Sequence, residues 1–138
     1  MDLEFKQHRE KRSSDANAYF HVLVNKLARV FGTSDEEMKI QMNLKYGAIA
    51  RDSEGKIIAV KIPKKANIRD FYCYAKWYGE CEENGIKLDK YLFYKETHTL
   101  DTKEMSDLIY GVVQECLENK IEVRPEAEIK SMIESWKK

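Results

Sequence analysis

The side chains with the most chemistry to offer are three histidines, His8, His21 and His98, and three cysteines, Cys73, Cys81 and Cys116. A metal-dependent nuclease needs His and carboxylate ligands that converge from fixed spacings. None of these histidines stands in an HxxxH, HExxH or His-Asn-His pattern. His21 lies in the polar sector beside an apolar helical stripe, close to Asn17 and Asn25, which suits a solvent-facing or hydrogen-bonding role better than metal ligation. His98 falls in the connection before a long helix, a place where ligand-contacting residues gather. The cysteines are odd in number and lack CxxC spacing, so they read as buried or half-buried free thiols. Glycines never cluster as GxGxxG, GxxxxGKS or GxxxxGKT, and the Ser and Cys nucleophile signatures are missing. These patterns speak against nucleotide hydrolysis and acyl transfer, and neither a cofactor nor a metal is expected.

Binding a polyanion asks for less: cations within reach of phosphates and, for single strands, rings on which bases stack. The formal net charge is zero, so such binding must use a local patch. Residues 1–31 carry a net +2 and residues 39–95 a net +5, against −3 in 32–38 and −4 in 96–138. Lys6, Arg9, Lys11 and Arg12 are nearly contiguous and form either a solvated, frayed end or a phosphate-contacting arm. Further on, Phe71, Tyr72, Tyr74, Trp77 and Tyr78 are bracketed by Lys64, Lys65, Arg69 and Lys76. Tyr72, Tyr74 and Trp77 are the candidates for base stacking, with core packing or a partner surface as the alternative for the same rings.

The elements that must position these groups follow from periodicity. Ser13 or Ser14 caps a helix whose apolar residues fall at Tyr19, Phe20, Leu23, Val24, Leu27, Val30 and Phe31, ended by Gly32. Thr33 and Glu36 resemble a capping box for a second helix, stopped by Gly47, that forms a hairpin with the first. Residues 48–51 and 56–62 flank a polar turn and predict a β-hairpin. Residues 67–84 are expected to be a loop leading into a helix closed by Gly85, and residues 87–96 a third strand. Asp101 as N-cap with Glu104 three residues on begins a long helix with an apolar stripe from Met105 to Leu117. Pro125 opens a last helix with Ile129, Met132, Ile133 and Trp136 on one face.

Two blocks carry a family resemblance. The segment Lys11-Arg12-Ser13-Ser14-Asp15-Ala16-Asn17-Ala18-Tyr19-Phe20, running on to Leu27-Ala28, resembles the R-S-x-D-x-N segment near the start of phage NinB (Orf) recombination proteins. Lys95-Glu96-Thr97-His98-Thr99-Leu100-Asp101-Thr102-Lys103-Glu104-Met105, with Ile121 and Pro125 beyond, resembles the strand, loop and helix that close that family in phages and prophages of Gram-positive bacteria. Residues 39–85 give little match. The resemblance implies a recombination accessory that binds DNA, preferably single-stranded, as a homodimer, and helps load a recombinase past single-strand binding protein. Carried over residue by residue, it makes Arg12, Lys95 and Lys103 phosphate contacts and Asn17 and His98 hydrogen-bond donors or acceptors. Ser13 and Asp15 hold the helix start, and Arg9 and Lys11 join the DNA-contacting set beside Arg12. Some relatives are described as nucleases with an added His-Asn-His segment, and this sequence carries none.

The expected fold is α+β and mainly helical, about five helices with a small antiparallel sheet inserted centrally. At 138 residues one domain is expected, with residues 1–12 as a flexible basic end. No stretch has the apolar length to cross a bilayer and no apolar segment follows the N-terminal cations, so a cytoplasmic protein without a membrane partner is expected. The favoured function is non-catalytic DNA binding in recombination. One alternative is a small phage nuclease in which Asp15, Asp101 and Glu104 meet a divalent metal. Another is a protein-interaction module for single-strand binding protein or a recombinase.

Overall fold

A computed structural model describes the backbone of residues 2–136 and the side chains of residues 16–136. The first apolar stripe becomes one side of α1 (Asp2–Phe31), where Ala16, Tyr19, Phe20, Leu23, Val24, Leu27 and Ala28 are all buried. Gly32 ends it in the left-handed region at φ +69, and Thr33 N–H donates back to the Ala28 carbonyl at 3.0 Å, satisfying an otherwise orphaned acceptor. That reversal leaves Val30 and Phe31 outside the core, about half exposed, although their spacing placed them on the stripe. The expected start at Ser13 or Ser14 is also corrected. Residues 3–12 contain Leu, Glu, Lys, Gln and Arg without Gly or Pro, so helix propensity carries α1 back to Asp2. Ser13 and Asp15 are therefore interior helix positions rather than caps.

α2 (Asp35–Tyr46) is capped by Ser34, whose Oγ accepts from Glu37 N–H at 3.0 Å; Thr33, the expected cap, lies one residue outside. Asp35, Glu36 and Glu37 in its first turn complement the positive end of the helix dipole. Its amphipathy is weak because it packs on two sides. Met38 and Met42 enter the main core, while Ile40 and Leu44 enter a second cluster.

α3 (Thr102–Glu118) begins as expected. Asp101 Oδ1 accepts from Glu104 N–H at 2.7 Å, and Asp101 N–H donates to Glu104 Oε1 at 3.0 Å. α4 (Glu126–Glu134) follows Pro125 and buries Ile129, Met132 and Ile133. Trp136 beyond it donates from Nε1 to the Leu100 carbonyl at 2.7 Å, pinning the chain end to the start of α3. Each large apolar side chain buried in this layer is worth about 1.5–3 kcal/mol, which makes the helices the stable part of the molecule. Gly111 lets α2 and α3 approach closely: a Cβ there would stand 2.3 Å from the Tyr46 ring.

Between α2 and α3 lies an antiparallel sheet of β1 (Ala59–Pro63), β2 (Ala75–Glu83) and β3 (Ile86–Phe93), in the order β1-β3-β2. The fold is thus mainly helical α+β, as expected, with four helices among the described residues rather than five. The expected helix before Gly85 is instead β2. Asn84 and Gly85, at φ 53 and 78, make a two-residue turn whose twist suits a hairpin, and the aromatic residues ahead of it favour strand. The expected hairpin at residues 48–62 turns where predicted, with Asp52 N–H donating to the Lys56 carbonyl at 2.8 Å. Its first arm, however, forms only the isolated bridges Ile49 to Tyr94 and Arg51 to Ile57, because its second arm pairs with β3 instead.

Among the strand residues Ala75 alone is buried. The sheet is moored at one end by Ile40, Tyr74 and Tyr94, with Leu44, Ile49, Tyr72, Cys73 and Leu92 packed around them.

Candidate nucleic-acid interface

Register decides which strand side chains share a face, since residues opposite one another in an antiparallel pair point the same way. On one face Lys61, Lys90 and Gly79 form a row across the sheet. Ala59, Leu92 and Lys76 form the next row towards the helices, and Pro63, Leu88 and Cys81 the next away from them. Glu83 and Ile86 close the far end. A β-bulge between Trp77 and Gly79 gives β2 one extra residue, Tyr78. Its ring lies on the lysine face, where Lys90 Nζ sits 5.1 Å from the ring centroid. Gly79 makes room for that lysine, since a Cβ there would stand 3.2 Å from Lys90 Cε.

Lys61, Lys76 and Tyr78 are exposed and Lys90 is half-buried. Lys61 Nζ meets Glu83 Oε2 at 2.5 Å, and that hydrogen bond, reinforced by the carboxylate charge, raises the lysine pKa. This face thus carries Lys90 held against the Tyr78 ring, Lys61 held by Glu83, and the exposed Lys76. The opposite face is organised differently. Trp77 donates from Nε1 to Asp89 Oδ1 at 3.0 Å, and Lys64 pairs with Glu80 and lies 3.8 Å from Asp89. Trp77, Asp89, Lys64 and Glu80 are thus linked into one network beside Val60, Ile62 and Tyr91.

Of the rings proposed for stacking, Tyr74 is buried and Tyr72 half-buried, so packing is the role that holds for both. Tyr72 donates its hydroxyl to the Tyr94 carbonyl at 2.6 Å and lies 4.7 Å from the Phe93 ring and 5.9 Å from Tyr74. Burial pushes both hydroxyls up to about 12. Trp77 is exposed, but on the face away from the lysines. Of the bracketing cations, Lys76 reaches the lysine face, whereas Arg69 holds Glu37 of α2 through two hydrogen bonds of 2.9 and 3.2 Å. That clamp depresses the Glu37 pKa.

The two lysines of the second sequence block are each matched by an acid, and its histidine also lies near one. Lys95 Nζ lies 3.0 Å from both Glu104 oxygens, Lys103 lies 3.1 Å from Asp107, and His98 Nε2 lies 3.6 Å from Glu96. Lys95 thereby braces the capping box of α3, and Asp101 is the N-cap it was expected to be. Asn43 Nδ2 adds a bond to the Lys95 carbonyl at 2.8 Å, so this block ties the sheet to the helices. In the first block Asn17 is half-buried, while the side chains of Arg9, Lys11, Arg12, Ser13 and Asp15 lie outside the described residues.

Lys61 and Lys90 were not singled out from the sequence, and Tyr78 was named there only as the end of the aromatic cluster. The signal that marks them is Asn84-Gly85, because recognising that turn sets the register of β2 on β3 and with it the two faces.

Among the described residues no group of three His, Cys, Asp or Glu side chains stands where it could hold a metal ion. The cysteines are free, and burial pushes the Cys116 thiol up to about 11. His21 is half-buried, and its pKa is lowered by burial and then by Lys39. Among the described residues no helix is long and apolar enough to cross a membrane. Comparison with family models, curated proteins and solved structures gives no match to this chain.

Proposed function

We propose that this chain is a non-catalytic nucleic-acid-binding protein that takes single-stranded DNA on the lysine face of its sheet. One observation carries the proposal: Lys61, Lys76 and Lys90 share a face of the sheet with the exposed Tyr78, whose ring centroid lies 5.1 Å from Lys90 Nζ. Phosphates follow cations on any polynucleotide, but only an unpaired base can lay its face on an exposed tyrosine, and one such stack is worth about 1–3 kcal/mol. A duplex keeps its bases covered and gains from the lysines alone. The two sequence blocks that resemble NinB proteins support a finer assignment, an accessory that assists recombinase loading as a homodimer, with single-strand binding protein or the recombinase as its protein partner.

A second function draws on the same face. Leu88, Leu92 and Ile86 lie among the lysines, and apolar side chains beside cations also suit a protein partner. Salt separates the two. Fluorescence anisotropy of labelled oligothymidine against a duplex, titrated at several salt concentrations, is expected to show preference for the single strand. About three phosphate contacts predict a log–log salt slope near −2. Lys76→Glu with Lys90→Glu is expected to weaken binding by about tenfold or more, since each phosphate contact is replaced by repulsion. Unchanged affinity in that variant, with folding intact by circular dichroism, removes the lysine face as the site.

A further inference from the structure

Two ion pairs join β1 or its exit to β2, and they differ in a way that points to a ligand position. On the lysine face Lys61 of β1 meets Glu83 of β2. On the other face Lys64, just past β1, meets Glu80 of β2. Because β3 lies between β1 and β2, each pair crosses the central strand, bridging roughly 10 Å of sheet. The Lys64 pair is supported from below by Asp89 of β3, which in turn holds the Trp77 indole. The Lys61 pair has no third charged partner among the described residues, and both of its side chains are about half exposed.

A carboxylate held against Lys61, on the face that also carries Lys90 and Tyr78, stands where a phosphate would run if a single strand crossed this face. Lys61 accepts either anion with the same ammonium donors, and a carboxylate oxygen and a phosphate oxygen compete for them. We infer that Lys61 is a phosphate subsite of the lysine face and that the Glu83 carboxylate is its internal occupant, displaced when a polynucleotide binds. This rests on the nucleic-acid function proposed above and names one of its contacts. An exposed pair of this kind is weak, so it lowers affinity by a small factor without blocking the site.

Glu80 supplies the control. Glu83→Gln and Glu80→Gln remove the same charge from the same strand, so they change the long-range field alike and differ in which lysine they release. Oligothymidine binding at low salt is expected to tighten about two- to five-fold in Glu83→Gln and by less than about twofold in Glu80→Gln. The salt slope of Glu83→Gln steepens by a fraction of one phosphate contact, since Lys61 then neutralises a phosphate in place of its own carboxylate. Adding Lys61→Ala to Glu83→Gln is expected to abolish the gain. Equal tightening in the two glutamine variants, or a gain that survives loss of Lys61, overturns the inference while leaving nucleic-acid binding in place. Absence of binding by the wild-type protein overturns both.

Discussion

The helical layer and the sheet solve the problem of holding a shape by different means. In the helices Phe20, Leu108 and Ile109 are at most 1% exposed, and the layer is held by side-chain burial. In the sheet Ala75 alone among strand residues is buried, and the strands are held by backbone pairing and by a small cluster at one end. A side chain that is not needed for packing is free to be chosen for what it meets in solvent. Lysines and a tyrosine on one face, and a closed indole, carboxylate and ammonium network on the other, are choices of that kind.

The sharpest way to break this contrast is to remove equal volumes from both regions. Leu108→Ala is expected to cost about 3–5 kcal/mol in denaturant unfolding, whereas Leu88→Ala, at a half-buried strand position, is expected to cost about 1 kcal/mol or less. Similar losses at the two sites would mean that the sheet carries as much of the stability as the helices. Gly111→Ala comes next. Its new methyl group would meet the Tyr46 ring, and overpacking of this kind costs about 1–3 kcal/mol, read as a drop in Tm.

A smaller, pH-dependent effect should mark the α2–α3 contact. Glu115 is buried on α3 and accepts hydrogen bonds from Lys45 and from the Tyr46 hydroxyl, which hold its pKa below the ordinary 4.5. A depressed carboxylate pKa stabilises the folded state above the unfolded value, and that contribution fades as pH falls from about 4.5 through the folded value. Unfolding midpoints of wild type and Glu115→Gln are therefore expected to differ most at neutral pH and to converge in acid. A constant gap across that range would assign the effect to shape alone. Smallest of all, Lys103→Ala is expected to change stability by less than about 0.5 kcal/mol, because the pair with Asp107 is exposed and local. A larger loss in thermal unfolding would give that surface pair a role its geometry does not suggest.

What was legible in the sequence was local. The apolar stripe of α3, the Asp101 to Glu104 capping box and Pro125 at the head of α4 are each settled within a few residues and are found where the sequence puts them, except that the stripe stops at Cys116 and Leu117 is half exposed. The miss at residues 75–83 has a physical origin as well. Trp77, Tyr78 and Cys81 do not alternate cleanly, because the bulge at Tyr78 breaks the period of two. The rings read from the sequence as one cluster divide in the fold, since Tyr74 is buried and Tyr72 half-buried whereas Tyr78 is exposed. The lysines of the second block, Lys95 and Lys103, were visible, but Glu104 and Asp107, which match them, lie further along on α3.

By itself the sequence determined that the chain would bury an amphipathic helical layer and place its basic charge in the centre, since periodicity, caps and charge counts depend on neighbours along the chain. Tertiary structure alone decided that Lys61, Lys76, Lys90 and Tyr78 share one open face while Trp77 and Lys64 share the other. Those groupings arise from pairing with β3 across many residues, where a shift of one position would exchange the two faces.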